Sequence, residues 1–132
     1  MNRARVVVAG MLVAVVLLLA ACSGSRASLA QSATAVYAAG ATVRLALQTD
    51  TGLFPTTQAA LRDEMTQEAA DAVSELETAA PDAADRGYRD AALQAARTVL
   101  DGIRLAAQDD TESAERSLDT GLDALAGLGA GG

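Results

Sequence analysis

The chain has 132 residues with a formal charge of −7 at pH 7, and it contains ten arginines, 17 acidic residues, no histidine and a single cysteine. This acidic balance argues against nucleic-acid binding, which requires a basic surface. Without histidine or lysine, the chain lacks the commonest general bases and the Glu-x-x-His ligands of bundle metal sites. A single cysteine excludes a disulfide within the chain. We therefore expect a non-enzymatic protein that uses no metal and no cofactor.

The first 21 residues have the layout of a secretory signal. Arg3 and Arg5 form a short positive region, and residues 6–21 carry no charge and consist mostly of valine, leucine and alanine. A positive region followed by a short apolar run is typical of signal peptides. These 16 residues would form a helix about 24 Å long. A membrane-spanning helix usually needs about 20 residues, so the run is shorter than a typical span.

The apolar run closes on Leu19, Ala20, Ala21 and Cys22, which puts the only cysteine behind two small residues. This stretch resembles the lipobox of bacterial lipoprotein signals, and the resemblance covers residues 1 to about 25. It implies that the Cys22 thiol receives a diacylglycerol, that the chain is cut between Ala21 and Cys22, and that the new amino group is often acylated. Small residues suit such a cut because the cleaving enzyme must approach the backbone closely.

Two alternatives stay open for this segment: an ordinary cleaved signal, and an uncleaved short anchor. Each leaves the remaining domain facing outward from the cell membrane, and Ser23 after the cysteine also permits an outer-membrane location. Removal of 21 residues leaves 111, with eight arginines, all 17 acidic residues and a formal charge of −9. We expect one small domain, held to the membrane by covalent lipid rather than by its charge.

The chain divides into four predicted parts. Residues 1–21 are the signal peptide, 22–27 a lipidated tether, 28–126 a helical domain, and 127–132 a disordered glycine-rich tail. The high alanine content, 32 of 132 residues, favours helices and predicts a core of small side chains. No segment has the pattern of a strand.

The first helix is predicted from 27 to about 49. Its apolar positions recur in alternating steps of four and three, as in packed helices: Leu29, Ala33, Val36, Gly40, Val43 and Leu47. Arg44 is its only charge, and small residues keep its other faces slim: Ala35, Ala38, Ala39, Thr42 and Ala46. A helix that is apolar or small all round is usually buried, so we predict that it is central. The alternative is that its surplus face docks a partner.

The second helix is predicted from 57 to 79, after Pro55, which suits a first helical turn. Its inner stripe comprises Leu61, Met65, Ala69, Ala72, Val73 and Leu76. Pro81 ends it, and Asp82 or Asp85 is expected to cap a third helix that runs to about 108. Asp85 and Arg89 are spaced for a favourable i,i+4 pair. The apolar positions of the third helix include Leu93, Ala96, Leu100 and Ile103.

A shorter fourth helix is predicted after a cap at Asp110 or Thr111. It presents Ala114, Leu118, Leu122 and Leu125 on one face, and Gly121 is expected to weaken it. Four helices with short connections predict an all-α, antiparallel up-down-up-down bundle. Three helices with a loose tail are the alternative.

An acidic row is the strongest candidate for a small-ligand site. Glu64, Glu68, Asp71 and Glu75 follow in steps of four, three and four, which places their carboxylates along one helix face. Carboxylates bind hard cations such as calcium, but ligands on one helix face diverge. A solvated outer face is the simpler interpretation, and a basic partner is a third. The sequence therefore favours an accessory or interaction module of the cell envelope, with a cation-binding or small-ligand-binding lipoprotein as the alternative.

Overall fold

The computed structural model describes residues 25–49 and 55–131. Those residues form four α-helices and no strand: α1 (Arg26–Gln48), α2 (Pro55–Thr78), α3 (Arg86–Ala107) and α4 (Thr111–Gly127). The predicted all-α four-helix fold is confirmed. Pro55 is the first residue of α2, where its fixed φ angle suits the helix and its missing N–H leaves no hydrogen bond unmade.

Neighbouring helices run antiparallel. Ser32 near the start of α1 donates to Glu75 near the end of α2. Arg62, early in α2, reaches Asp109 just after α3. Each helix packs on the next along the chain, α4 packs back on α1, and α1 and α3 meet across the diagonal. The described residues therefore form an up-down-up-down bundle in which α1 and α3 each contact the other three helices, so the predicted central position is not particular to α1.

The core is built largely from alanine. Ten of the 22 buried apolar residues in the described chain are alanines, so the helices must approach closely to exclude water. Larger side chains come disproportionately from α4, which buries Leu118, Leu122 and Leu125 almost completely. Full burial of a leucine contributes about 1.5–3 kcal/mol. The fourth helix is therefore part of the core rather than part of a loose tail.

At three helical glycines a Cβ atom would overlap a neighbouring helix. A Cβ atom on Gly121 would lie 2.6 Å from Val99 Cγ2 and 2.9 Å from the Val99 backbone nitrogen. On Gly102 it would lie 2.9 Å from Leu118 Cγ, and on Gly40 it would lie 2.5 Å from Val99 Cγ1. The sequence predicts that Gly121 weakens α4; in the structure its missing side chain allows α3 and α4 to pack this closely.

The helix starts confirm one predicted capping side chain, Asp110, and correct another, Asp85. Asp110 caps α4 by accepting a hydrogen bond from the Ser113 N–H at 3.3 Å. Asp85 occupies the N-cap position of α3, but its side chain makes no capping hydrogen bond. It pairs with Arg26 at 3.6 Å, and Arg89 pairs with Asp90 at 2.8 Å. The predicted Asp85–Arg89 pair is therefore wrong, because each residue has a nearer partner.

Both α3 and α4 end in a Schellman motif. After α4, Gly129 adopts φ +92°, and the Ala130 N–H donates to the Leu125 carbonyl at 3.1 Å. This turn folds the chain back so that Ala130 is buried in the core. The sequence predicts a disordered tail at 127–132; among the described residues of that segment, Gly127 ends α4 and Ala130 is buried, because the hydrogen bonds of the motif fix the turn after the helix.

The matching motif after α3 carries an aspartate at the left-handed position. Asp109 has φ +62°, and the Asp110 N–H donates to the Leu105 carbonyl at 3.1 Å. Left-handed backbone costs an L-residue roughly 1–2 kcal/mol, less for aspartate, and costs glycine nothing. The ion pair of Asp109 with Arg62 spans 3.7 Å on a side chain that is 91% exposed, so its loss matters little.

We therefore expect Asp109→Gly to raise the free energy of unfolding by about 0.5–1 kcal/mol, measured by urea denaturation. Gly129→Ala is the matched control, and it should lower the same quantity because it introduces a Cβ at a positive φ. A destabilised Asp109→Gly variant would show that the side chain of Asp109 stabilises this turn by more than its backbone strain costs.

Candidate functional site

The predicted lipid attachment residue Cys22 and the cleavage residue Ala21 lie outside the described residues. Lipidation therefore stays a prediction from the sequence. The described chain begins at Ser25. Ser25, three positions after Cys22, is the N-cap of α1, and its side-chain oxygen accepts a hydrogen bond from the Ser28 N–H at 3.2 Å.

The acidic row lies on the outer face of α2, as its spacing predicts. Glu64, Glu68, Asp71 and Glu75 are all exposed. Two of the four already have protein partners: Glu75 Oε2 accepts from the Ser32 hydroxyl of α1 at 3.0 Å. Asp71 Oδ1 accepts from the Gln67 amide at 2.9 Å. Glu75 thus joins α2 to α1, a role that the spacing along α2 alone could not indicate.

The geometry of the row does not favour a cation. In the described part of the chain, no group of three or more His, Cys, Asp or Glu side chains lies close enough to hold a metal ion. Side chains on one helix diverge, whereas calcium requires six to eight oxygens around one point. Nothing in the described residues therefore supports the hypothesis of a cation site over a solvated acidic face.

An apolar recess lies between α1 and α2, but its volume is only about 20 Å³. It is lined by Val43, Ala46, Leu47, Gln58, Leu61 and Arg62. A single water molecule needs about 10–15 Å³ by this measure. The recess is therefore far too small for a lipid tail or another apolar ligand.

The outward side of α1 is unusual because it carries no charge. We define the α1 outer face as the exposed residues Gln31, Thr34, Ala38, Thr42 and Leu45. Leu45 is 61% exposed and is the only exposed large apolar residue in the described chain. Arg44, at the edge of this face, is held by Asp119 of α4 at 3.3 Å. The face is thus a narrow strip of small or uncharged side chains bounded by a paired arginine.

The sequence pattern indicated this face only in part. It assigns Ala35, Ala38, Ala39, Thr42 and Ala46 to a slim surplus surface, but Ala39 is 1% exposed and belongs to the core. Leu45 was missed because the heptad spacing selects Val43 and Leu47. Counting from Val43, a step of two residues turns Leu45 by about 200° around the helix, away from the core.

A second cluster lies where α1 begins. The guanidinium carbon of Arg26 sits 3.6 Å from the centroid of the Tyr88 ring, a cation–π arrangement that stabilises by about 0.5–1 kcal/mol when exposed. Arg26 also pairs with Asp85. The start of α1 is thereby fixed to the start of α3. Tyr88 is buried.

No protein-family model matches the chain. No curated protein and no solved structure shows a significant match either. Among the helices that the structure describes, none combines the length and the hydropathy needed to cross a bilayer. Candidate functions therefore rest on the residues and their geometry.

Proposed function

We propose that the protein is a membrane-anchored, extracytoplasmic lipoprotein whose helical bundle acts as a non-enzymatic interaction module of the cell envelope. The observation that carries the proposal is the position of the only cysteine: it closes a lipobox-like stretch, and the first residue of α1 follows four positions later. Two acyl chains hold a protein stably, because each buried CH₂ contributes about 0.8 kcal/mol and one chain alone binds only marginally.

The α1 outer face is the surface that we propose for the partner. Every other helix exposes at least two carboxylates, which must be desolvated before a partner can pack closely. The α1 outer face carries none, and its alanine and threonine side chains let another helix approach. Leu45 adds the one exposed large apolar side chain of the described residues, and burying it stabilises a complex by about 1.5–3 kcal/mol. The partner on this account is a helical envelope protein with an uncharged contact surface.

The partner surface is tested by Ala38→Arg and Thr42→Arg, which place a charge in the middle of the face. Mild crosslinking in the native host, followed by purification, should recover a reproducible partner with the unmodified protein and lose most of it with either variant. Ala91→Arg on α3 is the matched control, because Ala91 is also an exposed helical alanine, and its partner yield should be unchanged.

Circular dichroism should show that all three variants unfold at the same temperature as the parent, because the substituted residues are exposed. Partner yields that stay equal for Ala38→Arg, Thr42→Arg and Ala91→Arg would refute the α1 outer face as the docking surface. They would leave the lipid anchor itself untouched.

A further inference from the structure

We infer that, in the lipidated protein, one end of the bundle rests against the lipid headgroups and α1 points away from the membrane. This inference rests on the proposed function, because it requires the anchor on Cys22. We define the anchor end as residues 25–29 at the start of α1, the 79–85 connection and the first turn of α3. The antiparallel topology brings these three segments to the same end of the bundle.

The tether is too short for the anchor end to leave the membrane surface while the opposite end of the bundle contacts it. Only Ser23 and Gly24 separate Cys22 from the N-cap residue Ser25. Three residue steps span at most about 11 Å when fully extended. The 23 residues of α1 extend over about 35 Å. The far end of the bundle therefore lies several tether lengths from the acylated residue when the helix stands upright.

The first turn of α1 is not free to swing on its own. Arg26 is held by Asp85 at 3.6 Å and stacks on the Tyr88 ring. Arg89 Nη1 donates to the Ala79 carbonyl at 3.1 Å, which joins α3 to the end of α2. A lipid anchor on Cys22 therefore positions the whole anchor end of the bundle rather than the first turn of α1 alone.

The distribution of charge also favours contact between the anchor end and the membrane surface. Counting the last turn of α2, the anchor end carries three arginines and four carboxylates: Arg26, Arg86, Arg89, Glu75, Glu77, Asp82 and Asp85. Counted in the same way over the last turns of α1 and α3, the 108–110 connection and the first turns of α2 and α4, the opposite end carries one arginine and three carboxylates: Arg104, Asp109, Asp110 and Glu112. An anionic bilayer surface repels negative charge within about one Debye length. The anchor end is therefore the end that approaches such a surface with the least repulsion.

The competing arrangement lays the uncharged α1 outer face flat on the bilayer. Helices that lie in the interface combine several large apolar residues with basic residues on the polar side. The α1 outer face offers one large apolar residue, Leu45, and no basic residue. Contact through the anchor end is accordingly favoured over contact along α1.

The test uses the full lipidated protein with one added cysteine, since acylation blocks Cys22 and leaves the new thiol as the single labelling site. Ala84→Cys lies at the anchor end, Gln108→Cys at the opposite end, and Ala38→Cys on the α1 outer face. All three positions are exposed. Each variant carries a fluorophore and is reconstituted into phosphatidylcholine–phosphatidylglycerol vesicles that contain headgroup spin-labelled lipid. Intact-mass analysis of each sample establishes whether position 22 carries acyl mass.

Quenching is measured against the same variant in vesicles without spin-labelled lipid. We expect strong quenching of the fluorophore at position 84 and no quenching at position 38 or 108. Acylated protein quenched equally at 38 and 84 would overturn the upright orientation in favour of the flat one. Acylated protein with equally weak quenching at all three positions would overturn headgroup contact, and in both cases the anchor would stand. Two labelled thiols and no acyl mass would overturn this inference together with the proposed function.

Discussion

Gly121→Ala is expected to lower the free energy of unfolding by about 1–3 kcal/mol, even though alanine is a better helix former than glycine by about 1 kcal/mol. The new methyl group would lie 2.6 Å from Val99 Cγ2, 2.9 Å from the Val99 nitrogen and 3.1 Å from the Ala95 carbonyl oxygen. Two of these three atoms belong to the α3 backbone, so a rotamer change cannot relieve the overlap. The helices themselves must separate, which also loosens the leucines that α4 buries.

Gly87→Ala is the matched control for this prediction. Nothing lies within 4 Å of a Cβ atom built on Gly87 in the first turn of α3. The same substitution should therefore be neutral or stabilise by up to about 1 kcal/mol, through helix propensity and the lower entropy of the unfolded chain. Urea denaturation of both variants measures the difference. A Gly121→Ala variant as stable as Gly87→Ala would show that the α3–α4 contact is looser than the structure indicates.

Cys22→Ala should abolish lipid attachment completely and leave a precursor that retains its first 21 residues. Thiolate sulfur is the nucleophile in cysteine chemistry, and alanine offers no atom in its place. Metabolic labelling with a clickable fatty acid should mark the parent protein and leave the variant unmarked, and the variant should migrate as the longer chain on a gel.

Ser23→Ala is the control, because it changes a neighbouring polar residue and keeps the thiol. It should be labelled and processed like the parent. Fatty-acid label on the Cys22→Ala variant would place the acyl group on another residue, and mature-sized variant without label would favour an ordinary cleaved signal.

The fold could be predicted from the sequence because burial follows the helical period so closely. Leu29, Ala33, Val36, Gly40 and Val43 are spaced by fours and threes, and all five are buried. Pro55 marks where α2 can begin, and Pro81 marks a position by which α2 must have ended. These are local constraints, and in α1 only the last predicted seam position, Leu47, is half-buried rather than buried.

Contacts between helices were harder to predict, because they depend on which small residues meet at each crossing. The sequence around Gly121 looks the same whether the glycine weakens a helix or permits two helices to approach closely. The short distance between Val99 and a Cβ atom built on Gly121 shows that it permits a close approach. Likewise, the pairing of Asp85 with Arg26 joins residues 59 positions apart, whereas spacing rules select Arg89. Leu45 was missed because a seam pattern selects inward positions and gives no weight to an outward leucine.

The end of the chain was predictable in retrospect from its own residues. A glycine two positions after the last helical residue, followed by alanine, is the sequence expected for a left-handed cap with an apolar contact. Gly129 and Ala130 have this arrangement. Composition alone suggested disorder because glycine lowers helix propensity, but it did not take account of the capping role of one glycine.

Intact-mass spectrometry of the protein purified from the membranes of its native host tests the central claim most directly. The account predicts a chain that begins at Cys22 and exceeds the mass of its 111 residues by a diacylglycerol group, with or without an additional acyl chain. A complete chain of 132 residues with an unmodified thiol at position 22 would contradict it.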